Sequence, residues 1–110
     1  MGASKQRLAE WTELTAATRR VAEGWYRLYQ RDDLHEDWDD FQHYKANGRW
    51  ATGVQRDLEA LDLAGIGSRD ALLDAAEHVM RTRPWDTDYE EPVDSRRQLL
   101  AVVAELRAAR

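Results

Sequence analysis

His35, Asp39 and His43 fall at i, i+4 and i+8, a spacing that aligns three ligand-competent side chains along one face of a helix. Two imidazoles and a carboxylate form a donor set that divalent metals use. That row is turned away from the apolar stripe of Leu34, Trp38 and Phe41 on the same stretch, so it is expected to face water as a solvated acidic surface. A closed metal site would need a further ligand from elsewhere, and His78 is the one remaining histidine. Nucleophilic chemistry has fewer footholds still. The chain has no Cys and no Gly-x-Ser-x-Gly turn, and its three serines, Ser4, Ser68 and Ser95, stand where a helix needs an N-cap. No Gly-x-x-x-x-Gly-Lys loop is present to cradle a phosphate. Acids abound, which is why no single pair of them stands out as a general acid and base. Neither an enzyme nor a cofactor is expected.

The more telling pattern is charge beside aromatics. Eleven of the 21 acidic residues lie in two runs without Lys or Arg: Asp32, Asp33, Glu36, Asp37, Asp39 and Asp40, then Asp86, Asp88, Glu90, Glu91 and Asp94. Trp38 and Phe41 sit in the first, Trp85 and Tyr89 in or beside the second. The second run reads as a loop in which neither helix propensity nor packing calls for two aromatics among acids. Trp85, Asp86, Asp88, Tyr89, Glu90 and Glu91 are therefore expected to dock on a basic protein surface, helped by Asp37 and Asp40 of the first run. Arg96, Arg97, Arg107 and Arg110 are placed to pair with these acids and mute them. A net charge of -5 argues against binding driven by neutralised phosphates, so nucleic acid is an unfavoured partner.

These residues need elements to hold them, and the apolar spacing is helical throughout. Leu8, Trp11, Leu14, Val21, Trp25 and Leu28 predict one long helix over 4–31, with Thr18 where an apolar group is wanted and residues 1–4 frayed. A second helix, capped by Asp32 or Asp33, should stop at Asn47-Gly48, and a third should carry Trp50, Val54, Leu58 and Leu61. Gly65-Ile66-Gly67 breaks the chain with a left-handed glycine cap. Ser68 then starts a helix faced by Ala71, Leu72, Ala75, Ala76, Val79 and Met80 that Pro84 closes. Asp94 or Ser95 caps a last helix bearing Leu99, Leu100, Val102, Val103 and Leu106. The fold expected is a single all-α domain over 1–110, a compact bundle of four to five helices with the first and last as its central pair. Most of the five Trp should fill its core. The long first helix leaves room for pairing with a second copy. No apolar run reaches the ~20 residues of a membrane span, and a Cys-free chain fits a reducing compartment, so a cytoplasmic protein is expected.

Two short stretches resemble known families. Leu58 to Ala71 resembles a helix-hairpin-helix element, with Leu58 and Leu61 as its lead-in and Gly65, Ile66 and Gly67 as its hairpin. The resemblance implies that backbone N–H groups around Gly65, Gly67 and Ser68, with Arg69 beside them, grip a DNA phosphate. Asp70 and Asp74 depart from the family's pattern, and residues 49–83 hold five Arg against six acids. A plain helix-turn-helix corner accounts for the same residues. The last thirty residues or so resemble the immunity proteins of colicin-type nucleases in element order: an acidic loop with Tyr89, then Pro92, Asp94, Ser95 and a closing helix. That likeness implies an acidic inhibitor of a basic partner, though the family's paired tyrosines are reduced to Tyr89. The reading that results is a small non-catalytic interaction protein, inhibitory or regulatory, with DNA binding at the hairpin and metal binding at His35, Asp39 and His43 as the alternatives.

Overall fold

A computed structural model describes residues 2–31, 38–86 and 90–109, with side chains from residue 9 onward. It is all-helical among the described residues. The elements are α1 (Gly2–Gln30), α2 (Trp38–Glu59), a short 3-10 turn (Leu63–Gly65), α3 (Arg69–Thr82) and α4 (Val93–Ala108). The expected caps at Asp32 and Asp33, and with them Leu34, His35, Glu36, Asp37, Asp88 and Tyr89, lie outside the described residues.

At 29 residues α1 is about 43 Å long, which sets the 52 Å long axis of a molecule 23 × 22 Å across. Leu14, Ala17, Thr18 and Ala22 form its buried stripe. Thr18, the apparent flaw in that stripe, is fully buried at no polar cost. Its Oγ1 donates to the Leu14 carbonyl at 2.7 Å, so the hydroxyl is satisfied within its own helix.

The largest correction concerns α2. Asn47-Gly48 does not end a helix; the chain runs on helically from Trp38 to Glu59, and the two expected helices are one. Tertiary packing overrides the local turn signal here. Gly48 lies against α1, where a Cβ would meet Trp25 Cβ and a Tyr26 ring carbon at 3.5 Å. A Cβ there would already be in van der Waals contact, so the two helices run close together at this point. Because the fused helix runs far along α1, the α1–α2 pairing is the most extensive in the molecule, and the expected central pair of first and last helices gives way to it.

Asp62 caps the 3-10 turn, its carboxylate accepting from the Ala64 N–H at 3.1 Å. No described residue has positive φ, so the left-handed glycine cap expected at Gly65 to Gly67 is not used. Ser68 caps α3 as its type predicts, its Oγ accepting from the Ala71 N–H at 3.1 Å. The start of α4 differs from expectation: Pro92 is the N-cap residue and makes no side-chain cap bond, and Ser95 is fully buried one turn inside. The core joins all four helices through Leu14 and Ala22 of α1, Trp50, Ala51, Val54 and Leu58 of α2, Leu72, Leu73, Ala76 and Met80 of α3, and Leu99 and Val103 of α4. Of the five Trp only Trp50 is buried within it. Trp11 and Trp25 are half-buried, while Trp38 and Trp85 are exposed, contrary to the expectation that most would fill the core.

Candidate functional site

Glu90, Glu91 and Asp94 of the second acidic run, with Trp85 before them, are held near α2 by three contacts that sequence spacing does not predict. First, the Arg96 guanidinium lies between two indoles, 5.6 Å from the Trp50 ring and 5.4 Å from the Trp85 ring. A cation held between two aromatic faces is attracted by both, so Trp85 has a structural role in seating this segment. Second, the same Arg96 donates to Glu91 at 2.8 Å. Third, His43 of α2 is clasped by carboxylates at both ring nitrogens: Nδ1 meets Glu90 Oε1 at 2.8 Å and Nε2 meets Asp94 Oδ2 at 3.0 Å. Arg97 adds a bond to Asp94 at 2.8 Å.

Glu91 and Asp94 thus spend their charge on Arg96 and Arg97, while Glu90 bonds the His43 ring. The muting by Arg96 and Arg97 that composition allowed is present. Arg107 is engaged elsewhere, with Asp74 at 2.7 Å and Glu77 at 3.2 Å on α3. Trp85 keeps 40% of its surface exposed and Asp86 is exposed, while Asp88 and Tyr89 lie outside the described residues.

His43 does not join Asp39 in a solvent-facing row. Its ring is half-buried, edge-on to Trp25 at 5.3 Å between centroids, whereas Asp39 is exposed and His35 lies outside the described residues. Among the described residues no group of three or more His, Asp and Glu is placed to hold a metal ion.

At the hairpin, Arg69 points inward. It pairs with Glu10 of α1, and its Nη2 donates to the Leu106 and Ala109 carbonyls at the end of α4, the latter at 2.8 Å. A cation so placed satisfies carbonyls that the last turn of a helix leaves open. Ser68 is occupied in capping α3, while Gly65, the last residue of the 3-10 turn, and Gly67 are exposed. The four residues that the resemblance assigns to a phosphate grip therefore stand together, but their cation is used by the fold.

The first acidic run presents a different surface. Trp38 is 68% exposed, the most exposed large apolar side chain of the described residues, and stacks on Phe41 at 5.1 Å with 20° between planes. Phe41 contacts Tyr29 of α1 at 5.2 Å, and Tyr29 meets Tyr26 edge-on at 5.8 Å. The four rings form a continuous aromatic ladder across the α1–α2 seam, with exposed Asp39 beside it and the half-buried Asp40 next along α2. Asp37 lies outside the described residues. Sequence reading picked out Trp38 and Phe41 but assigned both to a buried stripe; no signal within the second helix could reveal that Tyr26 and Tyr29 line up beside them.

A scan against protein-family models finds no match for this chain, and searches of curated proteins and of solved structures find none either.

Proposed function

We propose that this chain is a non-catalytic interaction protein that docks on a basic protein surface through the aromatic ladder headed by Trp38. The observation that carries the proposal is the 68% exposure of Trp38 on a rigid ring stack, with Asp39 exposed at its side. A large indole held in water by stacking loses apolar hydration when covered and has little freedom left to lose, which is the profile of an interface anchor. Nearby fixed negative charge on a molecule of net charge -5 steers a basic partner in, and steering of this kind weakens with salt. The acids at Glu90, Glu91 and Asp94 contribute less to this reading than their number suggests, because Glu91 and Asp94 already have cationic partners within the chain and Glu90 is bonded to His43.

The test is retention of a basic protein from host lysate by the tagged chain at low salt, set against Trp38→Ala and Asp39→Lys. The expected result is a partner bound by wild type, released at high salt and weakened at least tenfold by Trp38→Ala, a loss of about 1.4 kcal/mol or more. Identical retention by wild type and Trp38→Ala, with both variants as helical as wild type by circular dichroism, would sink the proposal.

A further inference from the structure

Between the last turns of α1, the middle of α2 and the segment after α3 lies a cleft of about 600 Å³, within the size range of sites that take small ligands. Its charge runs against that of the molecule. Lys45, Arg49, Arg56 and Arg83 line it, against Asp86 and Glu90, on a chain whose net charge is -5.

Arg49, Gly53 and Arg56 stand at i, i+4 and i+7 on one face of α2. The middle position has no side chain of its own, and its place is taken by the guanidinium of Arg83 arriving from the end of α3; a Cβ at Gly53 would collide with it. Two further contacts hold Arg83 there. Its carbonyl accepts from Trp50 Nε1 at 3.2 Å, and its Nη1 donates to Asp57 at 2.5 Å. The guanidinium is not fully spent: its Nε is buried without a hydrogen-bond partner among the described residues. Arg56 is exposed and forms no ion pair among the described residues. Tyr26, Tyr44 and Trp85 supply aromatic surface to the same cleft.

We infer that this cleft binds a small anion in which a phosphate is joined to a planar ring, the phosphate held by Arg56 and Arg83 and the ring lying against Tyr26, Tyr44 and Trp85. Guanidinium forks match phosphate oxygens, and two of them brought from separate helices suit a doubly charged group better than a single carboxylate. The aromatic walls select for a ring on the same molecule. Size is selected as well. A short anion feels the cleft's cations within a Debye length of about 8 Å, while an extended polyanion would also meet the acidic remainder of the surface. A nucleotide and an aryl phosphate share this chemistry. The inference goes beyond protein docking and is tested on the purified chain with no partner present.

Isothermal titration with adenosine monophosphate and with phenyl phosphate is set beside titration with adenosine and with inorganic phosphate. Saturable one-to-one binding is expected for at least one of the first two, about tenfold or more tighter than for adenosine or phosphate alone. Binding of adenosine monophosphate alone assigns a nucleotide; binding of phenyl phosphate alone assigns an aryl phosphate. Arg56→Glu, at an exposed position without an ion pair, should melt as wild type does and lose at least about tenfold in affinity. No saturable heat with either ligand, inorganic phosphate binding as tightly as the ring-bearing ligands, or an Arg56→Glu variant that binds as wild type does would overturn the inference.

Discussion

Asn47 carries two bonds, one within its own helix and one to an element far away in sequence. Its Nδ2 donates to the His43 carbonyl at 2.9 Å, and its Oδ1 accepts the Ser95 N–H at 2.8 Å in the first turn of α4. The side chain of one helix thus satisfies an N–H that the start of another leaves open, which is why α4 begins without a side-chain cap of its own. Asn47 is fully buried, so Asn47→Ala strands that N–H out of reach of water. The expected loss is about 2 kcal/mol in urea unfolding, against under about 0.5 kcal/mol for Thr52→Ala, whose hydroxyl only bonds back to Gly48 at 2.8 Å. Equal losses for the two variants would show that the cross-helix bond has no special weight. None of this was legible at residue scale. Asn-Gly is a turn signal by propensity, and nothing within ten residues of Asn47 indicates that α1 lies over Gly48 or α4 starts at the amide.

Between elements, α3 and α4 are tied by a carboxylate shared between two guanidiniums. Glu77 accepts from Arg81 on its own helix at 3.0 Å and from Arg107 of α4 at 3.2 Å, and Arg107 also reaches Asp74 at 2.7 Å. The hydrogen bond from Arg81, followed by that from Arg107, holds the Glu77 carboxyl below its ordinary value of 4.5. A carboxyl lowered in the folded state adds stability above its unfolded pKa, and that contribution disappears as pH falls through the lower folded value. The stability difference between wild type and Glu77→Gln should therefore be largest near neutral pH and shrink on acidification below about 4.5. Urea midpoints across pH 3 to 7 that keep a constant gap would refute the linkage. The helices themselves were legible in large part: α1, α3 and α4 begin and end close to where apolar spacing, Ser68 and Pro84 place them. Asp74, read as a departure from the hairpin family's pattern, proves to be a partner of Arg107.

At the scale of the whole molecule, Arg69 ties three of the four helices together. From the start of α3 it pairs with Glu10 of α1 and bonds carbonyls at the end of α4, and the side chains of Arg69 and Glu10 are only 21% and 12% exposed. Glu10 Oε2 is already buried without a partner. Arg69→Ala would leave the whole carboxylate without its cation, and the expected cost is about 3 kcal/mol. Adding Glu10→Leu should restore much of that loss, since an apolar pair avoids a stranded charge; thermal melts of the single and double variants measure it. A double variant no more stable than Arg69→Ala would mean that the carbonyl contacts, and not the ion pair, carry the effect.

Apolar periodicity alone determined that this chain is an all-α bundle with a long first helix, because a stripe recurring every three to four residues can be buried in no other regular backbone. Caps such as Ser68 were equally legible, since they act within three residues. Only the tertiary structure decided which local signals prevail. It fused two expected helices by pressing Gly48 against α1, and gave Gly53 the task of seating Arg83. By placing Arg96 between Trp50 and Trp85, it also seated Trp85, which the sequence offered as a docking residue, against the fold's own cation. Each of those choices depends on contacts between residues more than ten positions apart. Composition can show that acids and aromatics are abundant, but charges are spent or left free by whichever cations the fold brings to them.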